Sequence, residues 1–402
     1  MRDWWRIRII RKIEKVNIKN QVMSTKSEKI INSRFSITPL QILLVIFLVR
    51  VISVILTELT TLNRFAIRDA VGFAQEATYI ANILTQGELS IVLEKYHGNT
   101  TEKWSLLLSP FWLLPGPSNL YAALTNAFIA SLGIYNVYII GRYYHSHSAG
   151  ILMILPMTFF PSWLLLHGTI MRESLILFCI TTSARVLIVP SDRSRVYDWS
   201  IVAILFYLAI YLRPENLPVF VLALGVGLIT YAYISGLLTR AHLLVGFFLS
   251  LITAYFISSR LFEMVESVIQ TREVRARGRA VYLLDAMPQN FIEIIAFSWI
   301  GALFFLYAPF PWMFENETDV LLGFEAILNI LLSLIAISGA KLFFRKNPTV
   351  TLALVSFLII GSIAYGLGTS NYGIAARHRH SFLWVIYLFA AMSLIRTVRL
   401  KI

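Results

Sequence analysis

The chain has almost no cysteine. Cys179 is the only one in 402 residues, so no internal disulfide can form and the composition names no redox compartment. Charge is scarce as well. Only 14% of the residues are Asp, Glu, Lys or Arg, against 57% hydrophobic, a balance that excludes an ordinary soluble globule. No phosphate-binding G-x-x-x-x-G-K-[ST] loop is present, which argues against an ATP-driven transporter, and neither H-E-x-x-H nor G-x-S-x-G occurs. There is no internal repeat and no low-complexity tract. The basic leader is too long for a secretory signal, and no small-residue cleavage site follows the first apolar run.

What the chain has is apolar length. Runs of about 18–22 residues recur throughout, enough to cross a bilayer core as helices. The predicted fold class is all-α: a polytopic transmembrane bundle of about 10–12 spans, multi-pass in the cell membrane. Candidate spans lie at about 38–58, 119–140, 148–166, 171–189, 199–213, 216–235, 241–258, 290–308, 321–340, 349–368 and 381–395. That odd number would put the termini on opposite sides, so one stretch is expected to re-enter, lie flat or be two helices. The stretch at 290–308 runs into APFPWMF, whose prolines break a helix, and it is the expected exception.

The net charge of +13 sits in three places: residues 1–36, the Lys341, Arg345, Lys346 cluster, and the tail with Arg396, Arg399 and Lys401. Basic residues heaped beside apolar runs are the positive-inside pattern rather than a nucleic-acid surface. They touch anionic membrane lipids and predict that both termini and the 341–346 loop are cytoplasmic. No nucleic-acid partner is expected.

The chain divides into two units: a basic leader, 1–36, and a single transmembrane domain, 37–402. Within the leader, residues 3–16 carry Trp5, Ile9, Ile13 and Val16 on one face and Arg8, Arg11, Lys12 and Lys15 on the other. That suits a helix lying in the membrane interface, and a partner-binding helix would read the same way. Arg50 falls in the middle of the first span and should face the interior with a partner. External loops are expected at 59–104 and 259–289. The sequons Asn99-Thr100-Thr101 and Asn316-Glu317-Thr318 fall in predicted external segments.

The stretch 63–81, NRFAIRDAVGFAQEATYIA, is too charged for lipid and too regular for a slack linker. Asp69, Phe73, Glu76, Ala77 and Ile80 recur at three- and four-residue steps, the edge of an extracytoplasmic amphipathic helix after the first span. Asp69 and Glu76 are the candidate catalytic carboxylates. The same spacing fits an acid that caps or solvates a surface helix. Further charges lie at span ends on the same predicted side: Arg172 and Glu173, Arg213 and Glu215, and Arg377, His378, Arg379 and His380. Arginine suits phosphate because its planar fork bonds bidentately and never loses its charge. Arg172, Arg213, Arg377 and Arg379 are therefore the candidate phosphate binders, with Glu173, Glu215, His378 and His380 in support. Paired ions at helix ends and snorkelling side chains would leave the same pattern. The one candidate cofactor is a divalent cation (Mg or Mn) on a diphosphate, with Asp69 its candidate ligand.

With those residues in view, residues 38–260 resemble the GT-C fold of integral-membrane glycosyltransferases, the class of protein O-mannosyltransferases and the aminoarabinose transferase. The likeness rests on Asp69, Phe73 and Ala77 after the first span, on Gly87 and the approach WSLLLSPFWLLPG, on Gly141-Arg142, and on Pro161 followed by Met171-Arg172-Glu173. Asn371, Gly373, Arg377 and Arg379 form a late N-x-G-x-x-x-R-x-R stretch similar to those of surface-polysaccharide membrane proteins. The resemblance implies irregularly packed helices around an external cavity, a polyprenyl-phosphate-linked sugar donor, an inverting displacement with an acidic base, and a glycan, lipid or protein acceptor. It implies Asp69 as base or metal-coordinating acid. Where many members carry paired acids, Arg68 precedes Asp69 and no acid follows it. Two other functions fit the same residues: a repeat-unit polymerase driven by arginines, and a lipid or glycan transporter, for which Arg50 speaks.

Overall fold

The computed structural model describes residues 37–59, 68–114, 116, 118–242, 244–246, 248, 258–276 and 278–399. The expected interfacial helix at 3–16, the linker at 17–36 and most of the expected span at 241–258 lie outside them. Contacts separate a unit ending at Val45 from one that begins at Ile46. Of the first, only residues 37–45, with the start of helix α1 (Pro39–Leu59), are described. There Thr38 and Gln41 cap each other, through Thr38 N to Gln41 Oε1 at 2.7 Å and Gln41 N to Thr38 Oγ1 at 3.3 Å, satisfying donors the first turn leaves over.

The second unit is helical, with one isolated antiparallel bridge between Val281 and Asn371. After α1 come four short helices: α2 (Arg68–Gln86), α3 (Leu89–His97), α4 (Thr100–Leu108) and α5 (Pro110–Leu113). Next are α6 (Asn119–Tyr144), α7 (His147–Phe159), α8 (Pro161–His167), α9 (Glu173–Ile188), α10 (Arg195–Leu212), α11 (Asn216–Ile234) and α12 (Ser258–Arg275). The last are α13 (Phe291–Tyr307), α14 (Glu317–Lys346), α15 (Pro348–Gly368) and α16 (Tyr372–Arg399).

Six of these, α1, α6, α10, α11, α14 and α15, are long and apolar enough to cross a membrane, and α7 with α8 would make a seventh if the bent pair is one span. Side chains such as Ile204, Val221, Leu222, Leu331 and Leu334 are exposed, as hydrocarbon-facing residues must be. The expected count of about eleven is thus reduced among the described residues. Phe160 and Pro161 break the 148–166 stretch into two helices bent by 69°. Helices α9 and α13 have 16 and 17 residues, about 24–26 Å at 1.5 Å per residue, short of a roughly 30 Å core. The prolines expected to end the 290–308 stretch do so: α13 stops at Tyr307, just before Ala308-Pro309.

The expected span at 381–395 is the centre of the unit rather than its wall. From Phe382 to Met392 every residue of α16 is buried, the signature of a helix apolar on all sides. It packs closely on α14. A Cβ on Gly339 would collide with the Phe389 carbonyl, so only glycine allows this approach. The amphipathic reading of 63–81 holds over α2, where Phe73, Ala77, Ile80 and Ala81 are buried. They pack toward α4, where Ser105 Oγ donates to Phe73 O at 3.1 Å. Both sequon asparagines serve as N-caps: Asn99 accepts from Thr101 N and Glu102 N, and Asn316 from Asp319 N.

Gly339→Ile should destabilise the fold by at least about 1–3 kcal/mol through overpacking, seen as loss of the monodisperse peak in detergent size-exclusion chromatography. Gly225→Ala, where a Cβ meets nothing within 4 Å, should not. Equal behaviour of the two would contradict the close approach.

Candidate functional site

Several breaks between helices meet at one end of the second unit. Asn371 starts α16 by accepting from Gly373 N at 2.8 Å and Ile374 N at 3.3 Å, which fixes the first turn; Arg377 and His378 follow in the second. Asp69 lies in the first turn of α2, and its carboxylate forms an ion pair with Arg377 Nη1. The Asp69 side chain is 50% exposed and that of Arg377 15%. Arg172 precedes α9, Glu173 begins it, and Arg213 and Glu215 lie in the turn between α10 and α11.

The centre of this group is buried. Arg213 Nη2 donates to Glu173 Oε1 at 2.5 Å, and both side chains are almost wholly covered. Arg213 Nη1 lies 3.3 Å from His378 Nδ1. A guanidinium only donates, so Nδ1 is the acceptor and the His378 proton sits on Nε2. Tyr365 lies edge-on to that ring at 5.2 Å and bonds Asn216 Oδ1 at 2.9 Å. Arg172 Nη1 reaches Thr100 O at 3.1 Å and Leu212 O at 3.5 Å, and its guanidinium stands 6.0 Å from the Phe73 ring. Arg275, at the end of α12, bonds Glu215 Oε1 at 3.3 Å and Gly368 O at 2.9 Å.

These groups share one electrostatic neighbourhood. Arg213, Arg172 and Arg377 all act on Glu173, and Arg213, Arg377, Arg275 and Arg172 all act on His378. Four guanidinium groups face Asp69, Glu173 and Glu215, which leaves a net positive site. Arg172 Nε and Glu173 Oε2 are buried and have no hydrogen-bond partner among the described residues. Such a site can grip an anion with several oxygens.

Three of the four predicted phosphate arginines, Arg172, Arg213 and Arg377, therefore come together with Asp69, Glu173, Glu215 and His378. Arg379 and His380 do not. Two residues on from Arg377 a helix has turned by about 200°, so Arg379 faces the other way. It donates to Leu306 O at 3.2 Å and Ala308 O at 2.7 Å, closing the end of α13. His380 is stacked on Trp163 at 4.1 Å and bonded to Ser162 Oγ at 3.1 Å. Glu76 is also apart from the arginines. It lies two helical turns, about 10 Å, from Asp69 and pairs with Lys95 at 3.0 Å, which also holds Glu102 at 2.9 Å. Among the described residues no group of three or more His, Cys, Asp or Glu converges to hold a metal ion.

Arg275 is not announced by the sequence, where it reads as one of several charges in TREVRARGR. Arg279, nearby, pairs with Asp319 at 2.5 Å, and that hydrogen bond raises the Arg279 pKa. Arg50 faces the interior as expected and donates to Met157 O at 2.9 Å. Two apolar grooves open elsewhere: about 490 Å³ beside α1, α8 and α14, and about 250 Å³ among α9, α10, α11 and α15. Neither is lined by the arginines of the cluster.

No protein-family model matches the chain, and comparison with curated proteins and with solved structures finds no match either.

The Lys95 contacts give the α2–α4 layer a pH window. Hydrogen bonds to Glu102 and Glu76 raise the Lys95 pKa, so its contribution is present below the usual lysine value of about 10.4 and lost as pH rises through the raised one. The bond from Lys95 lowers the Glu102 pKa, so its contribution is present above the usual value of about 4.3 and lost as pH falls through the lowered one. Amide protection over 68–108, corrected for intrinsic exchange, should hold between about pH 5 and pH 10 and fall outside that window. Lys95→Met should reduce it roughly two- to fivefold at neutral pH. Unchanged protection in that variant would show that Lys95 does not pin the layer.

Proposed function

We propose that this chain is a membrane glycosyltransferase. It moves a sugar from a polyprenyl-phosphate donor to a glycan, lipid or protein acceptor, in surface glycan or glycolipid synthesis. One observation carries the reading: arginines and an exposed acid from four separate chain segments meet around the buried Glu173 where helices begin and end. An anionic head group held at such a place can leave its hydrocarbon tail in the bilayer. The basic leader and the 341–346 cluster support a site on the extracytoplasmic face. A GT-C-like arrangement of these helices remains part of this proposal.

In the proposed reaction the donor phosphate takes the guanidinium of Arg377 and releases Asp69. The freed carboxylate accepts the proton of the acceptor hydroxyl. The acceptor oxygen then forms its bond to the anomeric carbon as the bond from that carbon to the phosphate oxygen breaks. The polyprenyl phosphate leaves with its charge held by Arg172, Arg213 and Arg377.

A second reading, a polysaccharide repeat-unit polymerase, is favoured by the arginine excess and by the fact that every carboxylate of the cluster already faces an arginine. The two differ at Asp69. In cells lacking the protein, mass spectrometry should show a lipid-linked glycan accumulating, and the wild-type chain should restore transfer. Asp69→Asn, folded and inserted, should fail by at least about 100-fold, the scale of a general base. Full transfer by that variant would remove Asp69 from the chemistry and favour the polymerase.

A further inference from the structure

A second polar group lies inside the unit, and the arginine cluster does not use it. Arg50 of α1 is fully buried. Its Nη2 bonds the Met157 carbonyl, while Nε and Nη1 have no partner among the described residues. Among the described residues no carboxylate acts on its charge. Glu325, a buried acid of α14, accepts from Ser162 N at 2.7 Å and bears instead on Arg379.

Two buried histidines belong to the same region. His167 bonds Ser174 Oγ through Nδ1 at 2.9 Å, and His380 bonds Ser162 Oγ through Nε2 at 3.1 Å. Their other nitrogens, His167 Nε2 and His380 Nδ1, have no partner among the described residues. The rings stand 5.3 Å apart, and Trp163 packs on both. Ser53, one turn beyond Arg50 on α1, lies close to Gly168, the residue after His167: a Cβ there would be 3.3 Å from Ser53 Oγ. Arg50 acts electrostatically on both rings.

A guanidinium in a membrane-spanning helix is expensive to keep without a counter-charge, and such residues mark binding or transport sites. When a serine hydroxyl donates to one ring nitrogen, the other carries the proton and becomes a donor. Arg50 Nε and Nη1, His167 Nε2 and His380 Nδ1 are then all donors; Arg50 acts on both rings, with Arg379, itself faced by Glu325, also acting on His380, and Glu173 on His167. We propose that Arg50, His167 and His380 form an internal site for one small inorganic anion of halide size. One guanidinium balances one negative charge, so a divalent phosphate would leave the interior charged again. A halide accepts several N–H groups and needs no donor in return. This site is independent of the role given to the arginine cluster.

The test uses the full chain purified in detergent. At constant ionic strength, replacing sodium gluconate by sodium bromide should raise the thermal midpoint by several degrees and then saturate, because the ion binds the folded state. Crystals grown in bromide should show an anomalous peak in contact with Arg50. Arg50→Gln should abolish the bromide-dependent rise. Should that variant fail to fold, the wild-type peak decides the matter alone. Equal midpoints in the two salts, or only water beside Arg50, would overturn the site.

Discussion

The buried pair between Arg213 and Glu173 is the contact on which the polar end of this protein depends. It joins the start of α9 to the turn between α10 and α11, and through His378 it reaches the start of α16. Both ions have left water, so each needs the other: removing one partner of a buried pair typically costs about 3–5 kcal/mol. The pair therefore fixes where three chain breaks stand relative to one another. The more exposed contacts, Asp69 with Arg377 and Arg275 with Glu215, surround it and are weaker by their exposure. A rigid buried core with an exchangeable rim is a sensible build for gripping an anion, since the rim contacts can be replaced by the ligand without loss of the frame.

The apolar body explains why this end is free to be polar. Helix α16 is buried along its middle and packs against α14 through Gly339, so its first turn is anchored by the buried stretch from Phe382 to Met392. Arg379 belongs to that frame: by taking the carbonyls at the end of α13 it ties α16 to a neighbour. Arg272 does the same for α15, donating to Gly366 O at 3.2 Å and Thr369 O at 2.7 Å. Arginine thus has two duties here, closing helix ends whose carbonyls lack partners and collecting around Glu173.

Much of this is readable in the sequence, for physical reasons. Apolar runs announce helices that need no water, and the Asp69, Phe73, Ala77, Ile80 spacing announces α2. Position at helix ends is enough to group Arg172, Arg213 and Arg377. What the pattern cannot separate is two arginines two residues apart, because whether 371–380 is loop or helix decides which way each points. Once α16 begins at Tyr372, Arg377 and Arg379 must face opposite sides. Span counting fails for a related reason. Hydropathy does not distinguish a helix that crosses lipid from one of 16 or 17 residues, such as α9 and α13, or from one that other helices enclose, such as α16. Arg275 and Lys95 stay hidden because their partners, Glu215 in one case and Glu76 with Glu102 in the other, are fixed by tertiary packing rather than by spacing.

The proposed chemistry depends above all on the arginines at this end binding the phosphate of a lipid. Calorimetric titration of the purified protein with a short-chain polyprenyl phosphate, beside the matching polyprenol, tests it most directly. Saturable binding of the phosphate alone, weakened about tenfold or more by Arg377→Ala, a loss of about 1.4 kcal/mol, is expected. Equal affinity for the phosphate-free polyprenol, or no change in the variant, would contradict it.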